Sequence, residues 1–145
     1  MKITVSDNVL KVANNFDKQI KEQPLLVKKA LSATAEFLIF LIKQKTKKGI
    51  DVDGIPFVSY TPEYKEFRQD KGFGTKPDLY FSGNMISNIV HKATSSSANI
   101  FFASKFENTK ALQNQSKRKF FAIGGRDVNS ILDVFKKEFN KGSKI

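Results

Sequence analysis

The alternation of apolar and polar residues predicts one long helix in the first third of the chain. It begins at Pro24, which loses no helical hydrogen bond in the first turn, and runs to about Lys47, before Gly49. Residues 37–42 within it are all apolar and sweep more than a full turn, so this part of the helix has no polar side. We therefore expect it to be either the central helix of the core or part of an interface between subunits.

Two further helices are predicted, one towards each end of the chain. A short amphipathic helix is expected over residues 7–21, where apolar residues recur at helical spacing. Residues 128–140 carry a single apolar stripe, typical of a helix that covers a core. Asp127 lies at the positive end of this second helix, and Gly142 follows its last turn.

Three short segments have the pattern of β-strands. Residues 86–92 and 99–104 flank a polar turn, which predicts a loose antiparallel hairpin, and residues 119–123 are expected to add a third strand. The polar residues 106–116 between them are expected to lie on the surface. The fold class is therefore predicted to be α+β, with a small antiparallel sheet packed against a long helix, N- and C-terminal helices, and a long extended loop. At 145 residues the whole chain is expected to form a single domain.

The long loop covers residues 49–64. It holds two glycines and two prolines and has no helical period, and residues 63–70 after it predict a short helix. Its apolar side chains must be covered, either by the long helix of the same subunit or by a neighbouring subunit, and we favour the second. The candidate assembly residues are Phe57, Tyr60, Tyr64 and Phe120.

Charge and composition narrow the choice of partners. The 25 Lys and Arg exceed the 14 Asp and Glu, and the resulting net charge of +11 favours nucleic acid, an anionic membrane or an acidic protein. The absence of cysteine excludes disulfides, thiolate catalysis and cysteine-ligated metals. No apolar run approaches the ~20 residues of a membrane-spanning helix, and the first residues do not form a signal peptide. We expect a soluble protein that is not exported by that route and that does not act at a membrane.

No group of residues predicts an enzyme. Residues 51–54, Asp-Val-Asp-Gly, begin like a calcium loop, but neither register places the required bidentate Glu, so an Asx turn is expected. His91 stands without a second metal ligand or a nucleophile and is expected to be an ordinary strand residue. Ser82-Gly83-Asn84 lacks the strand that precedes a hydrolase nucleophile. We therefore expect no catalysis, cofactor, metal or small-molecule substrate.

Two basic clusters are candidate contact surfaces. Cations beside aromatic rings can hold single-stranded nucleic acid, whereas lysines at a helix end are more often a solvated cap, and both interpretations remain open. The first cluster, at the end of the long helix, is Lys43, Lys45, Lys47 and Lys48. The second, which runs into Phe120, is Lys110, Lys117, Arg118 and Lys119.

The loop residues GIDVDGIPFVSYTPEY, at positions 49–64, resemble the tailed-phage virion morphogenesis family, which includes tail-completion and neck proteins. The similarity continues at Asp78-Leu79 and at residues 82–85, Ser-Gly-Asn-Met. It continues again at residues 118–127, where the family has an Arg-Pro-Phe-like strand before a final helix. The resemblance covers roughly residues 28–140.

The resemblance implies a non-enzymatic structural component of the virion, made in the bacterial host cytoplasm and placed at the head–tail junction. Its partners would be further copies of itself in a ring, portal- or adaptor-side and tail-side virion proteins, and genomic DNA in the lumen, contacted without regard to sequence. The alternative, which rests on the charge alone, is a small basic protein that binds nucleic acid without sequence specificity.

Overall fold

The computed structural model describes residues 1–6 and 23–142 and confirms the predicted α+β class. The predicted helix over residues 7–21 lies outside these ranges. The elements are β1 (Lys2–Ser6), α1 (Pro24–Lys48), α2 (Pro62–Asp70), α3 (Asn84–Ser87), β2 (Ile89–Ala93), β3 (Ser97–Phe102), α4 (Lys105–Gln115) and α5 (Val128–Gly142). A 3-10 turn at Gly125–Asp127 leads into α5.

The sheet has three antiparallel strands in the order β1-β3-β2. The predicted hairpin is confirmed, with its strands at 89–93 and 97–102. Central strand β3 alternates as a half-buried strand should, because Ala98, Ile100 and Phe102 are buried and the residues between them are partly exposed. Helix α1 packs against this sheet.

The third strand is β1, and the prediction of a strand at 119–123 is wrong. Phe120 and Phe121 are both buried, which the alternating side chains of a half-buried strand do not allow. Their backbone N–H groups donate to Oε1 of Gln115, at 3.2 and 3.0 Å, instead of to a neighbouring strand. The segment is therefore irregular and held by a side chain, while β1 pairs with β3 from Lys2 opposite Phe101 onwards.

The polar residues 106–116, expected to lie on the surface, fall almost entirely within helix α4. The Ser104 hydroxyl accepts a hydrogen bond from the Glu107 amide at 3.4 Å and so caps the first turn. Ala111 is fully buried and fixes the side of the helix that faces the core.

The predicted long helix and C-terminal helix are confirmed as α1 and α5, and these two helices pack against each other. Gly49 ends α1 in the left-handed conformation, with φ of 73°, as expected for a helix stop. Within residues 37–42, Leu38 and Ile42 are buried, but Phe40 remains 54% exposed. The apolar run is thus core on one side of α1, while on the other side Phe40 is not covered by the described residues.

The loop after α1 begins with the predicted Asx turn. Oδ1 of Asp51 accepts hydrogen bonds from the amides of Asp53 and Ile55, at 2.9 and 2.8 Å, and Gly54 has φ of 83°. The short helix predicted at 63–70 is confirmed as α2, whose first turn is capped by the Thr61 hydroxyl. No helix in the described ranges is long and apolar enough to cross a membrane.

Candidate docking cavity and basic surfaces

Arg68 is the centre of an unusual region of the molecule, because its charged side chain is only 2% exposed. Its Nε donates to the carbonyl of Gly74 at 2.7 Å, and its Nη2 donates to Oδ1 of Asp78 at 3.2 Å. Its Nη1 is also buried and has no hydrogen-bond partner within the described residues. A buried charge is tolerated only when neighbouring groups stabilise it. Because Nη1 makes no hydrogen bond to the described residues, other groups around the guanidinium must stabilise its charge.

Aromatic rings supply part of that compensation. The guanidinium carbon of Arg68 lies 5.1 Å from the ring centre of Tyr60, 5.6 Å from that of Phe73 and 5.9 Å from that of Tyr64. Each such contact stabilises a cation by about 0.5 to 2 kcal/mol, the larger value applying where water is excluded. We call Tyr60, Tyr64, Arg68, Phe73, Asp78 and Arg118 the arginine–aromatic cluster.

Arg118 holds the loop against this cluster. Its Nε donates to the carbonyl of Val58 at 2.9 Å and its Nη2 to the carbonyl of Ser59 at 3.2 Å. Its guanidinium carbon lies 4.8 Å from the Tyr60 ring, and the residue is 7% exposed. The prediction of Arg118 as a basic surface contact is therefore wrong, because its donors are used inside the subunit.

Tyr60 links the loop to the segment before α3. Its hydroxyl oxygen accepts a hydrogen bond from the Leu79 amide at 3.0 Å. Leu79 has φ of 56°, a left-handed conformation that costs energy for a residue with a side chain. Burial raises the pKa of the Tyr60 phenol above its ordinary value, while the Leu79 hydrogen bond and the Arg68 charge act in the opposite direction. The phenol is thus neutral near pH 7.

A cavity of about 620 Å³ opens beside the cluster, between α2, residues 79–85 and α4. Four cationic side chains line it, and none of the described residues in its lining is Asp or Glu. Val58 and Phe81, which also line it, are 61% and 37% exposed. The cavity therefore combines a positive wall with uncovered apolar surface. Its cations are Arg68, Lys110, Lys117 and Arg118.

The cations of the cavity differ in how far they are neutralised. Nζ of Lys110 lies 3.2 Å from the Glu107 carboxylate and 4.5 Å from the Phe106 ring centre. Arg68 is paired with Asp78. Lys117 is exposed and has no ion-pair partner among the described residues. Arg118 also has no ion-pair partner among the described residues, but it is buried and its donors bind the Val58 and Ser59 carbonyls. The exposed positive charge of the cavity is therefore that of Lys117.

Three of the four predicted assembly residues belong to the subunit's own interior. Phe57 is 7% exposed, Tyr60 is 9% exposed and Phe120 is 1% exposed. The expectation that they face a neighbouring subunit is corrected, because side chains this deeply buried have little surface left to offer. Tyr64 is half-buried and forms part of the cavity wall.

The basic cluster at the end of α1 is divided. Lys45 forms an ion pair with Asp127 and donates to the Val52 carbonyl at 2.8 Å, so it ties α1 to the start of α5 and is unavailable as a surface contact. Lys47 and Lys48 are exposed, and Lys43 is half-buried. Within this cluster, the two exposed lysines are the ones placed for an outside partner.

In the second cluster, Lys117 and Lys119 are both exposed, but their surroundings differ. Lys119 lies outside the cavity lining, with Nζ 3.9 Å from a carboxylate oxygen of Asp53. Because they are close in sequence but only Lys117 lines the cavity, substitutions at 117 and 119 form a matched pair for testing the cavity.

His91 is a residue of strand β2, as predicted. Its Nε2 lies 2.9 Å from the Ser32 hydroxyl and 3.7 Å from a carboxylate oxygen of Glu36. Both neighbours approach the same ring nitrogen, so Glu36 does not orient the ring from Nδ1 as the acid of a catalytic triad does. Across residues 1–6 and 23–142, no group of three or more potential ligands could hold a metal ion.

The comparisons with known proteins give no relative. No protein-family model, curated protein or solved structure matches this chain. The role of the cavity must therefore be inferred from its chemistry and from the residues that build it.

The sequence did not single out Arg68, although a signal is present. Tyr60, Tyr64 and Arg68 recur every four residues, the spacing that brings side chains to one side of a helix. The signal is weak because Tyr60 precedes the first residue of α2. Because arginine usually lies at the surface, the spacing also does not indicate that Arg68 is buried.

Proposed function

We propose that this protein is a structural subunit of a tailed-bacteriophage virion, a neck or tail-completion protein that joins the DNA-filled head to the tail as part of a homo-oligomeric ring. The observation that carries the proposal is the meeting of the segments that resemble the virion morphogenesis family. They are separated in sequence, yet they contact one another around Tyr60.

The contacts join two of these segments, at 78–79 and at 118–127, to the loop. The Leu79 amide binds the Tyr60 hydroxyl, and Arg118 binds the carbonyls of Val58 and Ser59. The Val52 amide also donates to the carbonyl of Lys119 at 3.0 Å. The resemblance therefore follows one connected region of the fold and not a set of unrelated turns. This supports a common structural role for it, which in the family is virion assembly.

Exposed apolar surface on α1 supports assembly with further copies. Phe40 is 54% exposed in the middle of the longest helix, and its ring lies 6.3 Å from that of Phe37. Because the predicted alternatives for residues 37–42 were core or subunit interface, the exposed side of this run fits the second. A ring closes when such a contact repeats with a rotation that divides a full turn.

Assembly can be tested with purified protein. We expect sedimentation velocity and native mass spectrometry to show a closed oligomer whose population rises with protein concentration. Phe40→Glu should reduce the oligomer without unfolding the subunit. The matched control Gln44→Glu adds the same charge to an exposed position one turn further along α1 and removes no apolar surface. A wild-type protein that stays monomeric at high concentration, and is absent from particles of a phage that encodes it, would contradict the proposal.

The second candidate is nucleic-acid binding without sequence specificity, which the net charge and the exposed Lys47, Lys48, Lys117 and Lys119 favour. It predicts binding to random duplex and single strands that weakens steeply with salt. Such binding by a protein that forms no oligomer would favour this candidate over the virion subunit.

A further inference from the structure

We infer that the cavity beside the arginine–aromatic cluster binds an acidic peptide segment of a partner protein, one that places an Asp or Glu next to a large apolar side chain. The inference rests on the proposed function in taking that partner to be another virion protein, portal-side or tail-side. The site itself is argued from its own charge, shape and exposed surface.

The charge of the lining selects an anionic occupant. Four cations and no carboxylate among the described lining residues give this concave surface one sign. Lys117 is the exposed and unpaired member, so it is placed to bind an incoming carboxylate. Glu107 and Asp78 neutralise Lys110 and Arg68 from outside the lining. Because Lys117 is the one exposed cation of the described lining, a single acidic residue, rather than a run of them, suits this site.

The apolar part of the lining selects the neighbour of that acidic residue. Val58 and Phe81 are exposed in the subunit, and Leu79 and Met85 add apolar surface to the wall. A large aliphatic or aromatic side chain would cover this surface and be removed from water. The cavity volume, about 620 Å³, is in the range of sites that enclose a short ligand segment.

Polar groups in the wall suit a peptide backbone. Ser82, Gln113 and Asn114 line the cavity and bring hydroxyl and amide groups that can both donate and accept hydrogen bonds. An extended peptide presents alternating N–H and C=O groups and needs such partners when it leaves water. The cavity therefore offers a partner for each part of the peptide segment. Lys117 can bind the carboxylate, the polar side chains can bind the backbone, and the apolar wall can cover the large side chain.

The same surroundings argue against nucleic acid in this cavity. Bases bind single-strand sites by stacking on open ring faces. Here Tyr64 meets Tyr60 edge-on, with ring centres 4.8 Å apart, and stacks on Phe67 at 6.0 Å. Successive phosphates would also require several exposed cations, whereas Lys117 is the one exposed cation that the lining offers among the described residues.

The inference can be tested with the full-length protein and a peptide array. Labelled protein is applied to immobilised dodecapeptides of random sequence, and selected peptides are measured by fluorescence anisotropy. We expect the selected sequences to place Asp or Glu beside Phe, Leu or Ile. Replacing the acidic residue of a selected peptide by its amide should weaken binding by about tenfold or more. Selection of neutral or basic peptides would overturn the inference.

The site is tested by the matched variants Lys117→Glu and Lys119→Glu. Both reverse an exposed charge in the same segment, but only position 117 lines the cavity. We expect Lys117→Glu to weaken peptide binding by about tenfold or more and Lys119→Glu to change it by less than about threefold. Equal losses in the two variants would show a diffuse field and overturn the inference. Displacement of the peptide by an equal concentration of oligothymidylate would overturn it in favour of nucleic acid.

The two proposals can fail separately. A protein that forms oligomers and enters particles but selects no acidic peptide would overturn this inference and leave the proposed function standing. A protein that binds acidic peptides through the cavity but neither assembles nor enters particles would support the cavity and contradict the virion subunit.

Discussion

The molecule has two buried regions that are built by different rules. Between α1, α5 and the sheet the interior is apolar, with Leu31, Phe135 and Ile100 almost or fully inaccessible. Around Arg68 the interior is made of aromatic rings, two guanidinium groups and backbone carbonyls. The first region is held by the removal of apolar surface from water, and the second by hydrogen bonds and cation–ring contacts that require particular geometries.

The difference shows which region is suited to recognition. An apolar core is closed and complete, and its side chains have few functions beyond packing. The arginine–aromatic cluster has a donor with no hydrogen-bond partner among the described residues, a strained Leu79 and a cavity at its side. The cavity, with Lys117 and Val58 exposed in its wall, is where a binding partner can still add interactions.

The largest effect is expected in the apolar core. Phe135 is 2% exposed on α5, and Phe135→Ala would remove most of a ring and leave a cavity. We expect the free energy of unfolding to fall by about 3 to 5 kcal/mol, as measured by urea denaturation. A loss below about 1 kcal/mol would show that α5 is only loosely attached and that the apolar region is not the main source of stability.

The next effect compares the same new residue in the two regions. Arg68→Met removes the buried cation together with its ion pair to Asp78 and its contacts with the aromatic rings, so we expect a loss of about 2 to 3 kcal/mol. Leu38→Met in the apolar core conserves volume and should cost less than about 1.5 kcal/mol. The two variants are compared by urea denaturation. A neutral or stabilising Arg68→Met would show that the buried charge of Arg68 does not stabilise the fold.

A smaller effect is expected at Tyr60. Tyr60→Phe removes the acceptor of the buried Leu79 amide and should cost about 1 kcal/mol at pH 7.

The Tyr60 loss should depend on pH. Because burial raises the pKa of this phenol, the unfolded chain loses the proton at a lower pH than the folded chain does. Wild-type stability from this group is therefore complete below about pH 10 and declines as the pH rises above it, whereas the variant has no such term. Unfolding measured at pH 7 and near pH 10.5 should show the difference shrinking, and a constant difference would contradict the role of burial.

The smallest effect on stability is expected at the rim of the cavity. Lys117→Glu and Lys119→Glu each change an exposed side chain and should alter the free energy of unfolding by no more than about 0.5 kcal/mol. Thermal unfolding followed by circular dichroism measures this. A large loss for Lys117→Glu alone would mean that Lys117 is part of the cluster's own structure and not a free cation at its edge.

The apolar region was largely predictable from the sequence, and the cluster was not. The repeating apolar residues of α1 and α5, and Gly49 after α1, are local signals that tertiary contacts do not override. The third strand was misplaced because 119–123 is apolar like a strand, while Gln115, which binds its backbone, lies outside the segment. Local pattern cannot reveal such a partner.

The cluster depends on contacts between distant residues. Arg118 meets the loop 59 and 60 positions away, and Tyr60 meets Leu79 19 positions away. The buried state of Arg68 follows from the rings gathered around it and not from its own residue type. The sequence indicated the loop as a functional region but assigned Phe57, Tyr60 and Phe120 to a neighbouring subunit, because it could not show that the same chain covers them.

The pairing of β1 with β3 sets a condition on how the chain folds during synthesis. Lys2 lies opposite Phe101, so residues 2–6 have no strand to pair with until the residues of β3 have left the ribosome. At ordinary rates of translation this interval is roughly 5 to 20 seconds. Throughout it, residues 2–6 are an unpaired strand with an apolar side, available to chaperones and to other nascent chains. The pairing of β1 with β3 is therefore completed only after most of the described chain has been synthesised.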